Sequence, residues 1–130
     1  KVCAVIAERE EDKPSFNVLG FGIAPSEGLH KGLVANIGKT AEAIKSALSD
    51  CEKVYVTVDM DVLDPAYVPA VPNPEPEGLD TPTLLDLLET VCDRRVVGFD
   101  VVELAPKESD VSSSFNTAKL VYKLLNYSFQ

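Results

Sequence analysis

Two hydrophobic patterns alternate along the chain from Val54 onward. Val54 to Val58 reads Val-Tyr-Val-Thr-Val, and Val96 to Val102 reads Val-Val-Gly-Phe-Asp-Val-Val. Strands apolar on both faces belong in a sheet covered on each side by helices, which is the habit of parallel sheets. Between and beyond these runs the period lengthens. Leu84, Leu87, Leu88 and Val91 fall at helical spacing, with Thr81 placed to cap the helix and Pro82 at its first position. Ala118, Val121, Tyr122 and Leu125 give one face of a final helix expected from about Asn116 to Asn126. Strand, helix, strand, helix predicts an α/β domain with a parallel sheet flanked by helices.

The first half is less regular. Lys1 to Ala7 reads as a strand, Glu8 to Lys13 as a solvated charged loop, and Val18 to Ala24 as a second short strand weakened by Gly20 and Gly22. Pro25 to Lys39 is rich in glycine and shows no clear pattern. Thr40 is placed to cap a helix running to about Asp50, with Ile44, Ala47, Leu48 and Cys51 on its apolar face. Residues 62 to 80 hold Pro65, Pro69, Pro72, Pro74 and Pro76 and predict a structured loop, since proline fixes φ and removes a donor. There is no internal repeat, and residues 1–130 read as a single α/β domain.

Composition narrows the class. Hydrophobic residues make up 45% of the chain, enough for a core. The formal net charge of −9 opposes a phosphate backbone and argues against a nucleic-acid partner. The longest apolar runs fall short of the ~20 residues of a membrane span. With no signal peptide visible, the cytoplasm is the expected location. Cys3, Cys51 and Cys92 are scattered without a metal-ligand spacing and read as apolar filler in a reducing compartment. The sole methionine is Met60 and the first residue is Lys1, so the chain is expected to continue upstream.

The chemistry concentrates in two places. Val58-Asp59-Met60-Asp61-Val62-Leu63-Asp64-Pro65 puts two acids, two positions apart, where a buried strand ends. At that spacing both should point to one side of the sheet, at the end where open α/β sheets bind ligands. Paired carboxylates repel, and a hard divalent cation relieves the repulsion. The plainer alternative is a turn or helix cap. Then Val96 to Pro106 carries Asp100 among apolar residues, where a buried acid needs a partner, and Glu103 at the strand exit. A carboxylate at that exit could grip a guanidinium through two parallel hydrogen bonds. Alternatively, both acids serve only to bind loop amides.

Asp59-Met60-Asp61-Val62-Leu63-Asp64-Pro65-Ala66-Tyr67-Val68-Pro69 resembles the signature of the ureohydrolase (arginase/agmatinase) family. Pro74-Glu75-Pro76-Glu77-Gly78-Leu79 is similar to the loop that follows it, although Glu77 stands where glycine is usual. Gly98 to Pro106 is similar to the family's next strand. The resemblance covers roughly Val54 to Leu125 and implies the C-terminal portion of a larger arginase-like three-layer sandwich. It implies a site with two Mn²⁺ ions, Asp59 and Asp61 as metal ligands, and Glu103 as a contact to a small guanidino substrate. It also implies a homo-oligomer, trimeric or hexameric, that releases urea. No single catalytic residue is assigned by it.

The family's Gly-Gly-Asp-His and Asp-Ala-His-x-Asp segments are absent, and His30 matches neither. One alternative is therefore a non-catalytic arginase-like scaffold or subunit. Another is a haloacid-dehalogenase-like phosphatase, with Asp59 as nucleophile beside Mg²⁺, although that motif has no place for the Asp-Pro continuation.

Overall fold

A computed structural model describes the backbone of residues 2–9, 16–24, 29–30 and 33–34, and the backbone and side chains of residues 37–129. Strands β1 (Val2–Arg9) and β2 (Phe16–Ala24) pair antiparallel, as do the short β3 (Leu29–His30) and β4 (Leu33–Val34). Then come α1 (Ile37–Ala47), β5 (Val54–Asp59), a single 3-10 turn (Met60–Val62), α2 (Thr81–Val91), β6 (Val96–Val102) and α3 (Val111–Ser128). β1 carries Glu8 and Arg9 into the strand, where a loop was expected, because pairing with β2 satisfies their backbone. The glycine-rich stretch holds β3, β4 and the start of α1. Residues 10–13 of the expected charged loop, and the side chain of His30, lie outside the described residues.

The expected parallel pairing is present. β5 and β6 run parallel, with Val56 beside Phe99, Thr57 beside Asp100, Val58 beside Val101 and Asp59 beside Val102. Helix α2 makes the crossover that parallel neighbours require. A register shift near Val54 and Tyr55 leaves Val97 unpaired, and from there the faces are fixed by the pleat. Val56, Val58, Phe99 and Val101 face the core, where they meet Leu84 and Leu88 of α2 and Leu120, Leu124 and Tyr127 of α3. The proline-rich loop adds Val68 and Val71 to that core, which explains how a segment with so few backbone donors stays ordered.

Three helix starts differ from expectation. Thr40 lies inside α1, buried, and not at its cap. Asp80, not Thr81, caps α2: its carboxylate accepts from the Thr83 amide at 2.7 Å, leaving Thr81 and Pro82 in the first turn. Asp110 caps α3 by accepting from the amides of Ser112 and Ser113, so that helix begins five residues before Asn116. In both α2 and α3 the charged acceptor outcompetes a neighbouring hydroxyl or extends the helix through serines of weak propensity.

The buried stripes also shift. In α2 Leu85 is buried with Leu84 and Leu88, while Leu87 and Val91 are half-buried. In α3 the buried side is Ser113, Leu120, Leu124 and Tyr127, whereas Tyr122 and Leu125 are 68% and 45% exposed. Both sides of α3 satisfy a helical period. Val111, Phe115, Ala118, Tyr122, Leu125 and Phe129 follow one another at spacings of four and three along the outward side. Periodicity alone cannot choose between two such stripes, and contact with β6 and α2 decides it.

Candidate functional site

Asp59 closes β5 and then builds the turn that leaves it. Its Oδ1 accepts the Asp61 amide at 2.9 Å, capping the 3-10 turn 60–62. Asp61 therefore sits within that turn and not on a continued strand, so the period-two expectation for this pair is corrected. Asp61 is held from the other side by Asn73, whose Nδ2 donates to Oδ2 at 3.0 Å and whose backbone N–H faces Oδ1 at 3.5 Å.

Asp64 organises the rest of the loop. Its Oδ1 accepts from the Ala66 amide and its Oδ2 from the Glu77 amide, each at 2.8 Å. Its own amide donates to the Leu79 carbonyl, and the Leu79 amide returns a bond to the Val62 carbonyl, both at 2.9 Å. Gly78 is wedged into this crossing, where a Cβ would lie 2.6 Å from the Asp64 nitrogen and 2.8 Å from the Leu63 carbonyl carbon. The loop is also tied to α3 and to the segment that follows β6. Ser113 Oγ, fully buried, accepts from the Ala70 amide at 3.1 Å and donates to the Asp110 carboxylate. Asn116 donates to the Tyr67 carbonyl at 2.9 Å, and the Ala105 amide donates to the Ala70 carbonyl at 2.9 Å.

Asp100 lies on the sheet face turned away from the core, across from Thr57, and not among the apolar side chains. Thr57 Oγ1 donates to it at 2.5 Å and the Tyr55 hydroxyl at 3.1 Å. Its partners are thus side-chain hydroxyls of the neighbouring strand and not loop amides. The Tyr55 ring lies over Gly98, where a Cβ would come within 2.9 Å of it, and the bond to Asp100 holds the phenol above its ordinary pKa.

Glu103 follows Val102, the register partner of Asp59, so it leaves the sheet at the same end as Asp59 and the Asp61 turn. It is exposed and adopts a left-handed backbone, φ 64°. Glu77, where the loop closes onto Asp64, does the same at φ 67°. Among the described residues these two glutamates alone combine a side chain with positive φ, and both border this rim. Such backbone costs about 1–2 kcal/mol and collects at functional sites. Glu77 thus keeps a left-handed course that glycine would take freely.

Among the described residues no group of three His, Cys, Asp or Glu side chains stands close enough to hold a metal ion. The Asp59–Asp61 pair fits a hard divalent cation in kind, since each ionised carboxylate keeps lone pairs beyond those its protein partners use. In number it supplies only part of a coordination sphere. Asn73, Ser113 and Asp110 escaped sequence reasoning. The Asp110 spacing to Ser113 is a capping signature, but nothing local marks Asn73, whose partner lies twelve residues back.

Comparison with known proteins bears on the family and the fold. The Arginase family model matches residues 9–126. The N(1)-aminopropylagmatine ureohydrolase of Synechocystis sp. is 44% identical over 87 residues, covering 66% of this chain and 28% of that protein. The solved proclavaminate amidino hydrolase of Streptomyces clavuligerus superposes with a TM-score of 0.63 at 34% identity, covering 72% of this chain and 31% of that one. The agmatine ureohydrolase of Thermoplasma volcanium superposes with a TM-score of 0.60 at 36% identity, covering 68% and 30%. The chain thus spans about a third of the length of the relatives it matches. The match runs through both acidic motifs, which sets the phosphatase alternative aside. The chain belongs to the arginase family.

Proposed function

We propose that this chain supplies part of a dinuclear manganese site in an enzyme that hydrolyses a guanidino compound, agmatine or arginine, and releases urea. The observation that carries the proposal is the common rim, where parallel pairing of β5 and β6 sends Asp59, Asp61 and Glu103 out at one end of the sheet. Asp59 and Asp61 would hold the metal through carboxylate oxygens, a donor type suited to Mn²⁺. Two Mn²⁺ ions, when bound, supply Lewis-acid activation of water. Glu103 would accept two parallel hydrogen bonds from the substrate's guanidinium and fix its plane. The loop from Val62 to Asp80 braces this rim, because Asp64, Gly78 and Ser113 tie it down at both ends. The remaining ligands would come from outside the motifs described. A homo-oligomer, trimeric or hexameric, in the cytoplasm belongs to the same proposal; no helix among the described residues is long and apolar enough to cross a membrane.

A second reading, a non-catalytic scaffold or subunit of arginase-like fold, draws on the absence of a three-residue ligand group among the described residues. Urea release by the full-length protein separates the two. The substrate panel is arginine, agmatine and N(1)-aminopropylagmatine, the last taken from the name of a relative. Turnover that requires Mn²⁺ and is lost in Asp59→Ala supports the enzyme. A well-folded full-length protein that releases no urea from any of the three overturns it in favour of the scaffold.

A further inference from the structure

We infer that Asn73 is a positioning residue for Asp61, locking that carboxylate in one orientation toward a divalent cation. The inference rests on the manganese reading of the rim and adds to it a residue outside both acidic motifs. Asn73 addresses both oxygens of one carboxylate: the side-chain amide donates to Oδ2 at 3.0 Å and the backbone N–H faces Oδ1 at 3.5 Å. An ionised carboxylate offers about four lone-pair sites. Two directed contacts leave one site on each oxygen for a metal while opposing rotation of the group.

The identity of the residue suits that task. An amide orients a carboxylate without neutralising it, whereas a lysine or arginine at this place would compete with the cation for the same charge. Pro72 and Pro74 flank Asn73 and carry no N–H, so Asn73 provides the sole main-chain donor of that tripeptide. The following proline also confines the Asn73 backbone to extended conformations. The stretch is anchored on either side. Ala70 is bonded to Ser113 and Ala105, and Glu77 and Leu79 are bonded to Asp64 and Val62. Asn73 therefore presses on Asp61 from a loop fixed to the helical layer. Asp59, by contrast, is oriented by the Asp61 amide within its own turn.

The test is Mn²⁺ binding to the full-length protein, read as the loss of the free-ion signal in electron paramagnetic resonance. Wild type is compared with Asn73→Ala, Asn73→Gln and Glu75→Ala, each also melted without metal. Partners of metal ligands typically contribute 10–100-fold to affinity. Asn73→Ala is expected to weaken Mn²⁺ binding by about that factor, with its metal-free melting temperature unchanged. Asn73→Gln, which keeps the amide, recovers most of the affinity, and Glu75→Ala, a loop change without this contact, binds as wild type. Wild-type affinity in Asn73→Ala overturns the inference, and so does an equal loss in all three variants. If the wild-type protein itself takes up no Mn²⁺, the manganese reading falls and this inference falls with it. If it binds Mn²⁺ and releases urea while Asn73→Ala is silent, only the role of Asn73 is lost.

Discussion

Replacing Ser113 with alanine removes a hydroxyl that is fully buried and serves two elements at once. Its oxygen accepts the Ala70 amide, and its proton goes to the Asp110 carboxylate that caps α3. Without it the Ala70 N–H stays buried with no acceptor, which costs about 1–3 kcal/mol. The carboxylate lies at the surface and regains water, so the amide decides the magnitude. With a urea slope of about 2 kcal/mol per M for a small domain, a loss of that size lowers the midpoint by roughly 1 M. The assay is urea denaturation followed by circular dichroism, with Ser112→Ala as the comparison. Ser112 is exposed and contributes its backbone amide to the same cap, which alanine retains. Ser112→Ala should stay within about 0.5 kcal/mol of wild type. Equal midpoints for the two variants would refute the claim that Ser113 fastens the proline-rich loop to α3.

Gly78→Ala should destabilise the fold by about 1–3 kcal/mol or more, because its Cβ meets backbone atoms that cannot rotate away; an unchanged urea midpoint would show that the loop yields easily. Burial pushes the Cys92 thiol up to about 11, so iodoacetamide at pH 8 should label Cys92 only once urea unfolds the chain; labelling at native conditions contradicts its burial. Asp80, Asp93 and Asp110 are all held below the ordinary carboxylate range, by the Thr83 side chain and amide, by Arg95, and by the Ser113 hydroxyl with its neighbouring amides. Their folded pKa values are depressed, so their stabilisation is complete above the unfolded value of about 4 and is lost as pH falls below it. Relief of the acidic chain's self-repulsion acts in the opposite direction. The informative quantity is therefore the difference from Asp80→Asn, which should shrink between pH 5 and pH 3 and whose constancy would exclude this cause.

The parallel sheet and its rim acids were legible because their signals are local. Continuous β-branched runs mark strands, and an acid at the end of such a run leaves at the rim. Burial on both faces does not follow, since among the described residues Val56, Val58, Phe99 and Val101 pack on the core while Tyr55 and Val97 are 61% and 63% exposed. What escaped the sequence depends on distance. Asp100 looked buried because its sequence neighbours are apolar, but alternation along β6 turns it to the other face, where Tyr55 and Thr57 meet it. Asp61 looked like a strand residue because its spacing from Asp59 is two, but Asp59 caps the turn that follows, which is the plainer alternative its position allowed. Asn73 and Ser113 act across gaps of twelve and forty-three residues, which no window of sequence spans. Thr40 and Thr81 were sound cap candidates by type, displaced by tertiary burial and by a better acceptor next door.

Helix α3 is apolar on two opposite sides, and the described residues cover one of them. On the outward side Phe115, Tyr122 and Phe129 are 74%, 68% and 78% exposed. Fully buried aromatic side chains cover 150–250 Å² each, so these three leave on the order of 400 Å² to water. That is comparable to the largest apolar patch on a typical monomer. Covering such a surface would couple folding to mass action. An occupant of the stripe would bind only the state in which α3 is formed, and each tenfold rise in its concentration above its Kd would then add about 1.4 kcal/mol to the native state. The melting temperature would then depend on the concentration of whatever covers α3 as well as on the sequence that forms it.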